Sequence, residues 1–71
     1  MNHFAYYRRK AKLLQDDIAK KLCIDRSTVA KWETGVAVPR VDTLLALAKL
    51  YGCSVGALLG VEEDSKDGKA V

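Results

Sequence analysis

Arg26, Ser27 and Lys31 place hydrogen-bonding groups on one face of a predicted helix, around the small Ala30. Val29 and Trp32, three residues apart in the same segment, mark the opposite, apolar face. Arginine, serine and lysine can donate to phosphates and base edges, and a small alanine lets a helix approach a flat anionic surface closely. The segment therefore predicts a helix that lies in the major groove of DNA.

A second helix precedes this one, because apolar residues recur at helical spacing between residues 15 and 22. These residues are Ile18, Ala19 and Leu22. Cys23 and Ile24 interrupt the pattern, and we expect the carboxylate of Asp25 to cap the helix that follows. Residues 15–33 thus predict two short helices joined by a tight turn.

In this segment the chain resembles the helix-turn-helix domains of phage repressors and Cro, the XRE-type regulators. The resemblance covers residues 3–60 and lies in an ordered set of positions. They are Gln15, Ile18, Ala19, Leu22, Arg26, Ser27, Thr28, Val29, Trp32, Glu33, Gly35, Pro39, Thr43, Leu44, Leu45, Leu47 and Ala48. It implies a compact five-helix bundle of the lambda-repressor-like type, which agrees with the absence of alternating strand patterns.

The resemblance also implies roles for individual residues. We expect base contacts from the third helix, by Arg26, Ser27, Thr28 and Lys31. We expect contacts to the DNA backbone from Gln15, Thr34 and Arg40. An ion pair between Arg8 and Glu33 would tie the first helix to the third, because a half-buried guanidinium needs a carboxylate. A phosphate contact is the alternative role for Arg8.

The chain departs from the family pattern at three positions. Lys12 and Cys23 stand where the family has glycine, and Leu14 stands where it has serine or threonine. The second helix should therefore lack its side-chain cap, a loss of about 1 kcal/mol. Cys23 should be mildly strained if the turn requires a positive φ.

The remaining helices follow from caps and apolar spacing. We predict a first helix over residues 3–12 with Asn2 as its cap, a fourth over 41–51, and a fifth over 55–59. The expected inner or partly buried set of the fourth helix is Leu44, Leu45, Leu47, Ala48 and Tyr51. Residues 1–60 form the predicted domain, and the charged tail 61–71 is predicted to be disordered.

Charge and composition narrow the function classes. The formal charge is +3, and residues 1–34 hold eight Lys or Arg against four Asp or Glu, which suits a polyanionic partner. With no membrane-spanning run and no signal peptide pattern, we expect a cytoplasmic protein. Cys23 and Cys53 lack zinc-site spacing, so we expect reduced, mostly buried thiols and no metal. We predict no cofactor and no evident small-molecule site.

Two function classes stay open, and enzymes are excluded because the chain has one histidine and no catalytic arrangement or phosphate loop. The first is a sequence-specific DNA-binding regulator, a repressor acting as a homodimer on a near-palindromic operator. Its dimer contact would come from apolar residues of the last helix and beyond: Val55, Leu58, Leu59 and Val61. The alternative is a protein-interaction or antitoxin module with little specific DNA binding, for which the apolar loop 36–38 could serve.

Overall fold

The computed structural model describes residues 2–61 and contains five α-helices in that range. They are α1 Phe4–Lys10, α2 Gln15–Leu22, α3 Arg26–Thr34, α4 Val41–Tyr51 and α5 Val55–Leu59. No strand occurs in the described part of the chain. The predicted all-α, five-helix fold is confirmed. The predicted disordered tail falls, from residue 62 onward, outside the described residues.

One apolar core joins all five helices. Its buried members are Phe4, Tyr7, Ile18, Ala19, Val29, Trp32, Leu44, Leu47, Ala48, Tyr51, Ala57 and Leu58. Full burial of one large aliphatic side chain contributes about 1.5–3 kcal/mol, so this cluster supplies most of the drive to fold. Trp32 is 7% exposed and packs in the core, as its spacing from Val29 predicts.

Two predictions about apolar residues are wrong. Leu45 is 55% exposed, because α4 turns the stripe of Leu44 and Leu47 inward and leaves the intervening position outside. Leu58 is 0% exposed, so it cannot lie at a dimer interface. The short α5 needs this side chain for its own packing, and His3 N–H donates to the Leu58 carbonyl at 2.8 Å.

The helix ends agree in part with the sequence. Gly35 ends α3 in the left-handed region, with φ of 85°. Ser54 caps α5 by accepting from Ala57 N–H at 3.0 Å. The Asp25 prediction is wrong, since its carboxylate makes no capping hydrogen bond and Thr28 N–H donates to the Asp25 backbone carbonyl instead.

The first helix is shorter than predicted and closely tied to α3. It ends at Lys10, because Lys12 adopts a φ of 62° that no α-helix can contain. Asn2 accepts from Phe4 N–H at 3.2 Å, but the N-cap position of α1 is His3, which makes no side-chain capping hydrogen bond, so the prediction of Asn2 as the cap is wrong by one residue. The Asn2 amide also donates to the Trp32 carbonyl at 2.9 Å. This side chain therefore connects the start of the domain with the last turn of α3.

Candidate nucleic-acid interface

Helix α3 has one anchored face and one open face. Val29 is 1% exposed and Trp32 is 7% exposed, and α2 packs against this side of the helix. Arg26, Ser27 and Lys31 are exposed. The 3.6-residue period turns Ser27 and Lys31 away from Val29 and Trp32, whereas Arg26, three residues before Val29, lies at the side of the helix in its first turn.

Thr28, the remaining member of the predicted base-contacting set, is half-buried and lies at the edge of the exposed face. Ala30 is also half-buried and lies between Arg26 and Lys31 around the helix. Ala30 presents only a methyl group there, which leaves room for the longer side chains around it. The open face of α3 is therefore basic and polar, and its middle, at the small Ala30 side chain, is lower than the surrounding side chains.

An ion pair fixes α3 against α1. Arg8 Nε lies 2.6 Å from Glu33 Oε2, and Arg8 Nη2 donates to Glu33 Oε1 at 3.2 Å. The two side chains are 9% and 7% exposed, so the pair is withdrawn from solvent. Arg8 Nη1 donates to the Leu13 carbonyl at 2.9 Å, which satisfies another edge of the guanidinium. This bidentate geometry, with its planar fork, sets the angle between the two helices. The buried position excludes the alternative phosphate role for Arg8.

The charges of the pair act on nearby titrating groups. The hydrogen bond that Arg8 donates to Glu33 raises the pKa of Arg8 above its ordinary value, against the lowering effect of burial. Burial, the larger cause, and the negative charge of Glu33 together raise the pKa of Tyr51 to about 12, against a lowering effect of Arg8. Arg8 therefore stays cationic, and the Tyr51 hydroxyl stays neutral, throughout the physiological range.

Gln15 belongs to the same cluster. Its side-chain amide donates to Glu33 Oε1 at 2.9 Å, which connects the start of α2 to the ion pair. An amide has two N–H donors, so one is committed to Glu33 and one is left for another acceptor. Asp17 N–H donates to the Leu14 carbonyl at 3.0 Å, so the backbone N–H groups of Gln15 and Asp16 are the first-turn donors of α2 that lie before the first helical hydrogen bond. The start of α2 can thus present donors to an anion.

Two features reduce the attraction of an anion to this end of α2. Leu14 N–H donates to the Asp17 carboxylate at 2.7 Å, so one of the terminal donors is already occupied. Asp16 carries a second, exposed carboxylate in the same turn. These negative charges stabilise the helix by interacting with its dipole, but they repel phosphate. The structure also confirms that Leu14 gives α2 no side-chain cap.

Thr34 and Arg40 differ in how well they suit a backbone contact. The Thr34 hydroxyl donates to the Ala30 carbonyl at 3.1 Å, so a phosphate contact would require this hydrogen bond to be exchanged. Arg40 is exposed and lies at the N-cap of α4 in extended backbone conformation. Arg40 therefore presents its guanidinium to solvent at the point where the loop after α3 ends.

Two contacts that position α3 were not anticipated from the sequence. They are the hydrogen bond from Asn2 to the Trp32 carbonyl and the one from Gln15 to Glu33. They join residues 30 and 18 positions apart, so no local spacing reports them. The only sequence feature that indicated this cluster is the combination of Glu33, in the last turn of α3, with Arg8, in α1.

The cysteine prediction is wrong for one residue. Cys23 is exposed rather than buried, because it occupies the left-handed C-cap of α2 with φ of 58° and Ile24 packs against the core instead. Cys53 is half-buried. Within residues 2–61 no three His, Cys, Asp or Glu side chains cluster in a way that could hold a metal ion. Among the helices of the same range, none has the length and apolarity needed to cross a membrane.

Comparison with known proteins identifies the family. Residues 4–58 match the family model described as Helix-turn-helix. The chain belongs to the XRE-type helix-turn-helix family. The relatives that the comparisons found are named as HTH-type regulators of transcription rather than as enzymes. The matched range includes all of the helix-turn-helix and the ion pair that anchors α3.

Three curated proteins illustrate the relationship. The chain is 41% identical over 59 residues to the HTH-type transcriptional regulator ImmR of Bacillus subtilis, covering 83% of this chain and 46% of that protein. It is 33% identical over 63 residues to the uncharacterized HTH-type transcriptional regulator MJ0272 of Methanocaldococcus jannaschii, covering 89% and 96%. It is 31% identical over 51 residues to the HTH-type transcriptional activator BcrR of Enterococcus faecalis, covering 72% and 25%.

The lengths of these relatives differ widely. The chain spans a quarter of BcrR and about half of ImmR, but nearly all of MJ0272. No solved structure matches the chain. The shared region is therefore the helix-turn-helix domain itself.

Proposed function

We propose that this domain binds double-stranded DNA in a sequence-specific manner and regulates transcription. The observation that carries the proposal is the exposed set Arg26, Ser27 and Lys31 on a helix whose other face is buried. A helix held on one side by the core and by Glu33 keeps the backbone of its outer positions in a fixed place. Such a rigid, basic helix is suited to the major groove of B-DNA.

The residues of the open face have distinct proposed roles. Arg26, Ser27 and Lys31 meet base edges, and an arginine or lysine that donates to guanine is the commonest specific contact. Thr28, which is half-buried, reaches either a base or a phosphate at the margin of the helix. The base pairs that they prefer define the operator.

A second group of residues would position the domain without reading sequence. Arg40 contacts the DNA backbone with its exposed guanidinium, and Gln15 contacts it with the amide N–H that Glu33 does not use. Thr34 adds a weaker contact, because its hydroxyl must first leave the Ala30 carbonyl. Contacts of this kind account for much of the affinity and for its dependence on salt.

We further propose that the protein acts as a repressor and as a homodimer in the cytoplasm. One recognition helix rarely supplies enough affinity against genomic competitors, so two domains related by a two-fold axis are expected. Their α3 helices would lie about 34 Å apart and require a near-palindromic operator. Repression needs only occupancy of a site that the polymerase must use, whereas activation needs a further contact. Of the predicted α5 surface, Val55 and Leu59 remain half-buried and Val61 is 76% exposed.

The test is a selection of bound duplexes from a random pool, followed by competition binding to the selected site. Arg26→Ala and Lys31→Ala should each weaken specific binding by roughly 1–3 kcal/mol and relax the preference at one position of the site. Lys49→Ala is the matched control, because it removes an equally exposed positive charge from the C-terminal end of α4. It should leave discrimination between sites unchanged.

The outcome separates DNA recognition from the protein-interaction alternative. Sequence-specific binding that falls steeply with salt supports the proposal. A selection that enriches no sequence, with weak and sequence-blind affinity, would favour an interaction or antitoxin module instead. Wild-type discrimination in both the Arg26 and Lys31 variants would refute the assignment of α3 as the reading element.

A further inference from the structure

Asn2, which precedes α1, contacts the last turn of α3. Its side-chain amide donates to the Trp32 carbonyl at 2.9 Å, across 30 positions of the chain. Its side-chain oxygen accepts from Phe4 N–H at 3.2 Å, so hydrogen bonds hold the amide on both sides. The next residue is held as well, because His3 N–H donates to the Leu58 carbonyl at 2.8 Å. The half-buried Asn2 therefore lies in a place from which it can hold the end of α3.

We propose that Asn2 is a positioning residue for DNA recognition. It holds the C-terminal end of α3, and through the helix backbone it fixes the place from which Lys31 reaches its base pair. The proposal rests on the proposed function, because it concerns the same recognition helix. It goes further in assigning part of the sequence preference to a residue outside the base-contacting set.

The hydrogen bond from Asn2 differs from the other polar contacts that hold this end of α3. Arg8 and Gln15 donate to the Glu33 carboxylate, and several rotatable side-chain bonds separate that carboxylate from the helix backbone. Asn2 instead donates to a backbone carbonyl of the helix itself. A contact to the backbone limits the tilt of a helix more directly than a contact to a flexible side chain does.

The two ends of α3 are held in different ways. The helix begins directly after the tight turn from α2, where Thr28 N–H donates to the Asp25 carbonyl at 3.0 Å. It ends at Gly35, from which the chain passes into the loop before α4. Without the hydrogen bond from Asn2, α3 is therefore freer to tilt about its start than about its end.

Such a tilt affects the two basic reading residues unequally. With a rise of about 1.5 Å per residue, a tilt of about 10° about residue 26 moves the backbone at residue 31 by about 1.3 Å and leaves residue 26 in place. Val29 and Trp32 stay packed in the core and keep the tilt small. The flexible stem of Lys31 follows part of the displacement, so its base preference should weaken rather than vanish. The preference that Arg26 confers should be unchanged.

Hydrogen exchange of the free, full-length chain tests the contact without DNA. Asn2→Asp has nearly the same shape and keeps an acceptor for Phe4 N–H, but an ionised carboxylate has no N–H to donate. The amides of Gly35 and Val36, which donate to carbonyls in the last turn of α3, should exchange about tenfold faster in this variant. The amides of α4 should change by no more than about twofold. Equal acceleration at both places would indicate a general loss of stability and overturn the proposal.

Selection of bound duplexes by Asn2→Asp, beside the same selection by the wild type, tests the consequence for recognition. The base pairs to compare are those at which Lys31→Ala and Arg26→Ala relax the preference. Asn2→Asp should reduce the preference at the Lys31 base pair by roughly threefold to tenfold and at the Arg26 base pair by less than about twofold. Asn2→Leu, which is neutral and similar in volume, should do the same, so the added charge is not the cause. In the Lys31→Ala background, Asn2→Asp should not change the selected sequences further.

Ser54→Ala is the matched control, because it removes a side-chain hydrogen bond to the backbone, at 3.0 Å from Ala57 N–H, at the start of α5 rather than at α3. It should leave the preference at both base pairs unchanged. Unchanged preferences in Asn2→Asp, or equal relaxation at both base pairs, would overturn the proposal. If the wild type enriches no sequence, the proposed function fails instead, and the exchange measurement alone decides whether Asn2 holds the end of α3.

Discussion

Replacement of Glu33, whose side chain is only 7% exposed, by alanine should strongly destabilise the domain. Its carboxylate accepts from Arg8 Nε at 2.6 Å, from Arg8 Nη2 at 3.2 Å and from Gln15 Nε2 at 2.9 Å. In Glu33→Ala the guanidinium keeps the Leu13 carbonyl but remains in a site where its side chain is only 9% exposed. The buried charge would then have no countercharge.

The magnitude follows from the burial of the pair. Removing one partner of a fully buried ion pair costs about 3–5 kcal/mol. The Arg8 side chain retains a small exposed fraction, so we expect roughly 2–4 kcal/mol for Glu33→Ala. A domain of about 60 residues has a total stability of only about 3–9 kcal/mol. The expected loss is therefore a large part of the total, and the variant should unfold at a much lower urea concentration than the wild type.

Urea denaturation at 25 °C, followed by the fluorescence of the single tryptophan Trp32, measures this loss. Glu33→Gln keeps the volume and one carbonyl acceptor, so it should lose only about 1–2 kcal/mol. Combining Arg8→Met with Glu33→Leu removes both charges and should recover most of the stability lost in Glu33→Ala. Asp25→Ala is the matched control, because this exposed carboxylate makes no capping hydrogen bond, and its effect should stay within about 0.5 kcal/mol. A loss below about 0.5 kcal/mol in Glu33→Ala itself would refute the reasoning.

Four further changes test other parts of the structure. Cys23→Gly should raise the free energy of unfolding by about 1 kcal/mol in urea melts, because it relieves a φ of 58° at an exposed position; a decrease would contradict the strain. Leu14→Ser should raise the free energy of unfolding by about 1 kcal/mol, because serine can supply the side-chain cap that α2 lacks. An unchanged midpoint of the urea melt would show that the hydrogen bond from Leu14 N–H to Asp17 already stabilises this helix end sufficiently. Arg40→Ala should lower affinity for specific and random DNA alike and flatten the log–log salt dependence by about one unit, whereas an unchanged slope would place Arg40 away from phosphate. The raised pKa of Tyr51 favours its protonated form in the folded state, so this stabilisation is complete below pH 10 and is lost as the pH rises toward about 12. Between pH 9 and pH 12 the free energy of unfolding of Tyr51→Phe should therefore fall by roughly 2 kcal/mol less than that of the wild type. The same pH dependence in both proteins would contradict this prediction.

The sequence alone determined the helices and the direction in which most of them face. Apolar spacing separated buried Val29 and Trp32 from exposed Arg26 and Lys31, and the structure has the same division. Ser54 and Gly35 marked helix ends through local backbone chemistry. These features depend on neighbours within about one helical turn, so the order of residues is sufficient to specify them.

The predictions from the sequence were wrong where a side chain could adopt either of two local arrangements, such as capping or not capping a helix. Asp25 could cap α3, but the helix begins with a hydrogen bond to the Asp25 backbone carbonyl instead. Leu45 and Leu58 are both apolar residues in short helices, and only the packing of α4 and α5 against α1 decided that one is exposed and the other buried. Periodicity cannot resolve this choice, because every position beside an apolar stripe lies near its edge.

The position of α3 relative to the rest of the domain depends on contacts between distant residues. The family resemblance indicated that Arg8 and Glu33 would pair. No pattern in the sequence indicated that Gln15 would donate to Glu33, or that Asn2 would donate to the Trp32 carbonyl. These hydrogen bonds form only after the core has brought α1, α2 and α3 together. Local spacing thus determined which side chains α3 exposes, and the tertiary structure decided how rigidly the domain presents them, because burial removes water as a competitor for the groups that hold the helix.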